Sequence, residues 1–392
     1  MCGGFFANFI SPYLFDNKIE YLLLIIFSSF LRPSKAKQTN LSIFATYKED
    51  LKKLLILLIT LFGVFLASKL LINNKDAFDL AFFEKTTKLT IALFVFIYVI
   101  YFMKLHPKTK PILCLSLMAL FCAIQLDIVM QSSKTSNTIY KKRNFYGTVI
   151  VKKDPSLNLT TLIHGNTVHG GEHISKNPSD KYYGYYKPIF EFFENNVKIE
   201  KQNIATIGLG AGMLASLNND QQTEIDFFEI NPNIVEISKN PKYFNYLTKY
   251  PGNLYIGDGR VLLSKQPDKK YNHIIIDAYN SDAIPTHLIT IEALQLYQNK
   301  LKKNGVIIMN ISNRFFDLKN IVNTLANTQS LYALYKHHSS ADKNNNPSEW
   351  MILHDQKKLQ KKLITDNWKI PKKLLPTPWS DNYVNIFQAL KL

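Results

Sequence analysis

The segment from Ile204 to Glu229 restricts the fold more than any other part of this chain. Ile204 to Ile207 is apolar, Gly208-Leu209-Gly210-Ala211-Gly212 follows, Met213 to Leu217 can start a helix, and Glu224 to Phe228 reads as a second strand ending in Glu229. A strand, a glycine-rich turn, a helix and a strand ending in an acid together make the first unit of a doubly wound sheet. Glycine at 208, 210 and 212 lets backbone N–H groups approach a ligand, and a helix N-terminus behind the turn favours electron-rich groups. Glu229 follows Gly208 by about twenty residues, the spacing at which a carboxylate on the second strand tip accepts hydrogen bonds from ribose hydroxyls. The competing structural role for Glu229 is to cap the helix at Asn231-Pro232.

Three further strands extend the pattern. Leu254 to Ile256 runs into Gly257-Asp258-Gly259-Arg260, a turn that would set the Asp258 carboxylate beside an adenine amino group, although Asp-Gly also suits an ordinary turn. His273 to Ile276 is almost wholly apolar, as buried parallel strands are, and ends in Asp277-Ala278-Tyr279. A helix over Glu292 to Lys302 and a strand over Gly305 to Ile311 complete a β-α-β-α order, which favours a parallel sheet. Ligands bind such sheets at the carboxyl ends of the strands, so Gly208, Glu229, Asp258 and Asp277 should converge on one edge, with Gly259 beside them. The expected fold is α/β: a Rossmann-like, mostly parallel sheet.

The first 130 or so residues have a different character. Leu54 to Ile72 carries only Thr60, Ser68 and Lys69 as strongly polar residues, enough apolar length to cross a hydrocarbon core of about 30 Å as a helix. Leu89 to Met103 and Ile112 to Met130 read the same way, and Ile19 to Leu31 is a shorter fourth candidate. The extreme N-terminus has neither the basic stretch nor the small-residue cleavage site of a secretory signal, so these segments are expected to be retained anchors. A boundary near Met130 follows, with residues 1–131 as a transmembrane region of three to four helices.

The formal charge is +17, yet among the 47 basic residues arginine is confined to Arg32, Arg143, Arg260 and Arg314. Arginine dominates phosphate and base readout, and no nucleic-acid motif accompanies the charge, so no nucleic-acid partner is expected. Lys357-Lys358 and Lys361-Lys362 read as a solvated helix face. Cys2, Cys114 and Cys122 all lie in the apolar part, which leaves the remainder without a disulfide framework or a cysteine metal site, and no metal is expected.

Several separated motifs stand in one order: Arg143-x-Phe145-Tyr146-Gly147, Leu162-x-His164-Gly165-x-Thr167-x-His169-Gly170, Tyr182-Tyr183, the glycine turn, Glu229, Gly257-Asp258-Gly259, Asp277-Ala278-Tyr279 and Trp379-Ser380-Asp381-Asn382. Together they resemble the spermidine synthase, or polyamine aminopropyltransferase, family, and most closely its bacterial members fused to transporter-like membrane helices. The resemblance implies a small N-terminal β-hairpin domain over residues 139–175 ahead of a Rossmann-like domain of the class I methyltransferase type over 176–392, with Glu229 holding the ribose, Asp258 the adenine, and Asp277 at the position of the catalytic aspartate. The implied reaction is attack of a polyamine or related amine on the aminopropyl carbon of decarboxylated S-adenosylmethionine, with no metal. It also implies homo-oligomerisation. Gly3-Gly4-Phe5 to Asn8, Ser11-Pro12, Phe15, Glu20-Tyr21 and Arg32-Pro33 look like the last part of the transporter-like region, which implies an N-terminally short form or a separate chain supplying further helices. The expected location is the inner (cytoplasmic) membrane, multi-pass, with the soluble part in the cytoplasm, where adenosyl cofactors are made.

The chain departs from the family pattern at three places. Ala211 replaces an aspartate of the glycine turn that contacts the aminopropyl amine, Asp277-Ala278-Tyr279-Asn280-Ser281-Asp282 replaces an Asp-Ser-Ser-Asp loop, and Tyr182-Tyr183-Gly184 replaces a Tyr-His-Glu element. Two further readings therefore stay open: methyl transfer from S-adenosylmethionine itself, and a membrane-bound module that binds an adenosyl ligand or polyamine without catalysis. Tyr183 and Tyr279 are candidates to line an amine pocket through cation–π contacts, with packing as the alternative. His169 is a candidate substrate contact, weighed against a structural role in a hairpin, and Asp282 reads more simply as a turn cap before Pro285.

Overall fold

The computed structural model describes residues 137–165, 167–173, 184–197, 200–218, 222–278, 285–339 and 346–391. The four apolar N-terminal segments, Tyr182, Tyr183, and Tyr279 to Asp282 lie outside the described residues. Among the described residues, no helix is long and apolar enough to cross a membrane.

A four-stranded antiparallel sheet in the order β1-β2-β3-β4 comes first, formed by β1 (Thr138–Asn144), β2 (Gly147–Asp154), β3 (Leu159–His164) and β4 (Thr167–His173). On β2 and β3, Val149, Val151 and Leu162 are fully buried, while Lys152 and Lys153 stay exposed, the one-sided pattern of an antiparallel sheet with a single covered face. Helix α1 (Lys187–Asn196) follows, with Pro188 in its first turn, where proline's missing N–H costs nothing.

The second sheet has seven strands: β5 (Asn203–Ile207), β6 (Glu224–Glu229), β7 (Asn253–Ile256), β8 (Tyr271–Ile276), β9 (Leu301–Asn310), β10 (Tyr332–His338) and β11 (Ser348–His354). Their order is β10-β11-β9-β8-β5-β6-β7. The five strands from β5 to β9 run parallel, whereas β11 pairs antiparallel with both β9 and β10. The sheet is thus mostly parallel with an antiparallel edge. The edge pair has no separate signal in the β-α-β-α order, because antiparallel strands such as β10 and β11 need no crossover helix between them.

Both faces of this sheet are covered. Ile225, Phe227, Ile275, Val306 and Ile308 point to one side and pack with α1, α2 (Pro232–Lys239), α7 (Lys357–Thr365) and the first sheet. Ile207, Phe228, Ile274, Ile276, Ile307 and Met309 point to the other and pack with α4 (Gly259–Ser264), α5 (Ile291–Lys300) and α6 (Lys319–Thr328). Each fully buried side chain of this size contributes roughly 1.5–3 kcal/mol relative to exposure. Between α2 and β7 lies a single-turn helix α3 (Tyr246–Lys249). Lys357, Lys358, Lys361 and Lys362 are all exposed on α7.

Two sequence expectations change at element ends. Met213 to Asn218 is a 3₁₀ helix rather than an α-helix, so it offers a weaker aligned dipole behind the glycine turn. The helix expected over Glu292 to Lys302 is α5, which stops at Lys300, and β9 begins at once with Leu301 rather than at Gly305.

Candidate active site

Chain order in the large sheet reverses between β5 and β8: β6 and β7 build outward on one side of β5, and β8 and β9 on the other. A crevice forms at such a switch point, outside the carboxyl ends of the strands. Those ends are level here. Gly208 N–H donates to the Phe228 carbonyl at 2.8 Å, Asp277 N–H to Ile207 at 2.9 Å, and Gly257 N–H to Glu229 at 2.9 Å. Gly208, Glu229, Gly257 and Asp277 therefore sit in one row.

Gly208 is the tightest point of that row. Its φ is +101°, and a Cβ there would lie 2.3 Å from the Asp277 carbonyl oxygen, so any side chain would push the two strand tips apart. From there the turn runs under β4. Ala211 N–H donates to the His169 carbonyl at 3.1 Å, and the Ala211 methyl packs so closely on Gly170 that a Cβ at 170 would approach it to 2.9 Å. Gly210 and Gly212, also at positive φ, flank this contact, and Gly259 opens α4 against Ile207.

Glu229 is buried at the tip of β6, where Oε2 accepts from Leu209 N–H at 3.0 Å and Oε1 from Asn231 N–H at 2.8 Å. Burial pushes its pKa up, and the hydrogen bonds from Asn231, Leu209 and Ile230 work against that rise. With three backbone donors on about four acceptor sites, the carboxylate retains capacity for a further donor. The helix-capping role belongs to its neighbour: the Asn231 side chain accepts from Asn233 N–H at the start of α2, and also from Asn144 Nδ2 of the first sheet at 2.7 Å.

Asp277 stands at the end of β8 with both carboxylate oxygens engaged. Oδ2 accepts from the Tyr186 hydroxyl at 2.6 Å and the Tyr185 hydroxyl at 3.1 Å, and Oδ1 accepts from Asn310 Nδ2, at the end of β9, at 2.7 Å. Desolvation lifts its pKa to about 6, with the three hydrogen bonds pulling the other way. Burial, followed by the adjacent Asp277 charge, holds the Tyr186 phenol well above its ordinary value, so it remains a donor. The tyrosines are fixed from behind: Trp350 of β11 donates its indole N–H to the Tyr185 carbonyl at 2.9 Å and stacks on the Tyr185 ring.

Asp258 is the N-cap of α4. Oδ1 accepts from Val261 N–H at 2.9 Å, and Oδ2 lies 3.3 Å from His287 Nε2. His169 is on β4, its ring 5.6 Å from that of His164, and burial lowers its pKa to about 3, so the imidazole is neutral. Its Nε2 has no partner among the described residues. Thus Gly208, Glu229 and Asp277 come together directly, Asp258 and Gly259 stand one strand further out, and His169 meets the glycine turn through its backbone.

Tyr185, Tyr186 and Asn310 were not singled out by sequence. The resemblance drew attention to Tyr182-Tyr183, whereas the phenols on Asp277 belong to the next pair along. The available signal was Pro188, which fixes a helix start and so places Tyr185 and Tyr186 in the loop facing the strand ends.

Residues 193–359 match the family model described as the spermine/spermidine synthase domain. A polyamine aminopropyltransferase of Vibrio vulnificus (strain CMCP6) is 28% identical over 204 residues, which cover 50% of this chain and 64% of that enzyme. The chain therefore spans less than two thirds of that relative's length. Among solved structures, a probable spermidine synthase from Corynebacterium glutamicum ATCC 13032 aligns with a TM-score of 0.45 at 13% identity, covering 56% of this chain and 80% of its own. The spermidine synthase of Thermotoga maritima aligns with a TM-score of 0.42 at 15% identity, covering 65% of this chain and 84% of its own. The matched domain contains the glycine turn, Glu229, Asp258, Asp277 and Asn310, and over it the chain is similar to the spermidine synthase family.

Proposed function

We propose that this chain transfers the aminopropyl group of decarboxylated S-adenosylmethionine to a polyamine or related amine. The observation that carries this reading is Asp277: a carboxylate at the switch point, beside the glycine turn, with a pKa of about 6 and three side-chain donors fixing its plane. A general base works best when its pKa lies near the working pH. The acceptor nitrogen attacks the aminopropyl carbon next to the sulfonium, and a C–N bond forms as the C–S bond breaks. The bonding pair returns to sulfur, which leaves as the neutral thioether of methylthioadenosine. The proton lost by the attacking amine passes to Asp277.

The other residues orient the donor. Glu229 takes the ribose hydroxyls on its remaining acceptor capacity, and Asp258 takes the exocyclic amine of adenine. Ile230, Ile256 and Val261 remain 42%, 57% and 53% exposed at this rim, an apolar surface suited to a purine face. Tyr183, Tyr279 and His169 are retained as candidate acceptor contacts. The Ala211 methyl keeps methyl transfer from S-adenosylmethionine as a second reading, since no acid in the turn selects the decarboxylated donor. The apolar runs at 54–72, 89–103 and 112–130 support a membrane-anchored form, with 139–175 and 176–392 as the domains that carry the site.

The test is calorimetric binding of decarboxylated S-adenosylmethionine, S-adenosylmethionine and methylthioadenosine to the whole chain in detergent, followed by product analysis with a polyamine. Preference for the first and third ligands and an aminopropylated product are expected. Preference for S-adenosylmethionine with a methylated product would replace this reading, and no binding of any of the three would refute the adenosyl site.

A further inference from the structure

The segment Trp379-Ser380-Asp381-Asn382 has no part in the reaction as described, yet it ends against the outer part of the crevice. Arg260, in the first turn of α4 and two residues beyond Asp258, meets Asp381 in a fork, with Nη1 to Oδ1 at 2.7 Å and Nη2 to Oδ2 at 2.8 Å. The same Nη1 donates to the carbonyl of His287 at 2.8 Å. Arg260 therefore ties together the two segments that present Asp258 Oδ2 and its 3.3 Å neighbour, His287 Nε2.

Asp381 is itself held on three sides. Thr290 Oγ1 donates to Oδ1 at 2.8 Å, and the Asp381 N–H donates to Glu292 Oε2 at 2.9 Å. The Trp379 carbonyl accepts from Ile291 N–H at 3.0 Å while its ring is fully buried in the core. Ser380 and Tyr383 exchange backbone hydrogen bonds of 2.9 and 3.1 Å, which closes the tight turn that carries Asp381. An isolated exposed ion pair contributes little because two long side chains must be ordered to make it. Here the carboxylate is ordered in advance by Thr290, and the fork is bidentate, the geometry in which an arginine–carboxylate pair fixes orientation as well as charge.

We infer that the Trp379–Asn382 segment is a clamp that sets Asp258 for purine recognition, and that Asp381 is a positioning residue acting through Arg260. This rests on the reading of Asp258 as the adenine contact. Val261 N–H lies on Oδ1 and His287 Nε2 is 3.3 Å from Oδ2, which leaves acceptor capacity on Oδ2 to receive an exocyclic amine. Adenine offers that amine. Hypoxanthine offers a carbonyl oxygen in its place, which a carboxylate repels. Discrimination between the two bases therefore reports how well Asp258 is placed.

The experiment measures dissociation constants of methylthioadenosine and methylthioinosine for the whole chain, for Asp381→Asn, and for Arg260→Lys, which keeps the charge but loses the fork. The chain itself should prefer the adenine ligand. In both variants the adenine ligand should weaken by roughly fivefold, about 1 kcal/mol, while the hypoxanthine ligand changes by less than about twofold, so that the preference collapses. Equal weakening of both ligands, or an unchanged ratio in Asp381→Asn and Arg260→Lys, overturns the clamp. Absence of an adenine preference in the unmodified chain overturns the Asp258 reading first and the clamp with it.

Discussion

Tyr186→Phe removes one hydroxyl and little else, which makes it the sharpest probe of the site. That hydroxyl donates to Asp277 Oδ2 at 2.6 Å, the shortest of the three hydrogen bonds on the carboxylate. It favours the ionised form, so its loss must raise the Asp277 pKa from about 6. A hydrogen bond to a charged group contributes about 1.5–3 kcal/mol, and at 1.36 kcal/mol per pKa unit its complete loss corresponds to roughly one to two units. Tyr185 at 3.1 Å and Asn310 at 2.7 Å remain and can tighten, which favours the lower end, about one unit. The assay is the pH dependence of kcat/KM for the donor at a fixed polyamine concentration. The rate rises steadily with pH as the acceptor amine loses its own proton, and ionisation of the base adds a break near 6. In Tyr186→Phe that break should move to about 7, with the rate near pH 9 within about threefold of the unmodified chain, because Asp277 is ionised in both. A break that stays at 6, or moves lower, would show that the phenol does not act on the base. A uniform loss at every pH would assign Tyr186 to packing.

Two further substitutions separate chemistry from binding. Asp277→Asn should lower kcat by about 10²–10⁴-fold, the range for a positioned general base, with methylthioadenosine affinity retained in calorimetry. The same variant carries a stability signature whose sign is fixed by the raised pKa. The folded carboxyl, at about 6, holds its proton more tightly than an unfolded aspartate, so its contribution to stability is present at low pH and is lost as pH rises through about 4 to 6. Asp277→Asn should therefore melt higher than the unmodified chain at pH 7.5 and lose that advantage by pH 4, as thermal denaturation would record. Glu229→Ala should abolish measurable donor binding and cost about 1–3 kcal/mol in denaturant unfolding, since Leu209 and Asn231 N–H lose their acceptor. Stability unchanged in that variant would contradict the buried hydrogen bonds.

The parts of this site that sequence made legible are those where backbone geometry and side-chain chemistry act at one position. A strand that ends in glycine turns there, and an acid on the next strand tip about twenty residues on has few places to go, so Gly208 and Glu229 are found together. Asp277 was legible as the polar end of an apolar run. Tyr186 was not, because its partner is far away in sequence, and nothing in a row of tyrosines says which phenol faces inward until the helix after Pro188 is placed. Asn310 is similar, as the last residue of a buried strand whose neighbour in space is set by sheet order. The β10–β11 pair escaped for a different reason. Tyr332 to His338 mixes buried and half-exposed residues as an edge strand does, without the continuous apolar run that marks the central strands.

The contact between β4 and the glycine turn bears on how this site can change over generations. Ala211 sits under Gly170 with its N–H committed to the His169 carbonyl, so the identities at 170 and 211 are coupled by space alone. An acid at 211 would drive a carboxylate toward Gly170, where the alanine methyl already lies close. The roof must first lift or shift, and a lifted roof gives up the hydrogen bond that shapes the turn. The two segments are thus coupled: glycine at 170 and alanine at 211 fit one another, and a larger residue at either calls for a change at the other. A change of ligand preference that leaves this contact intact has to come from elsewhere around the crevice.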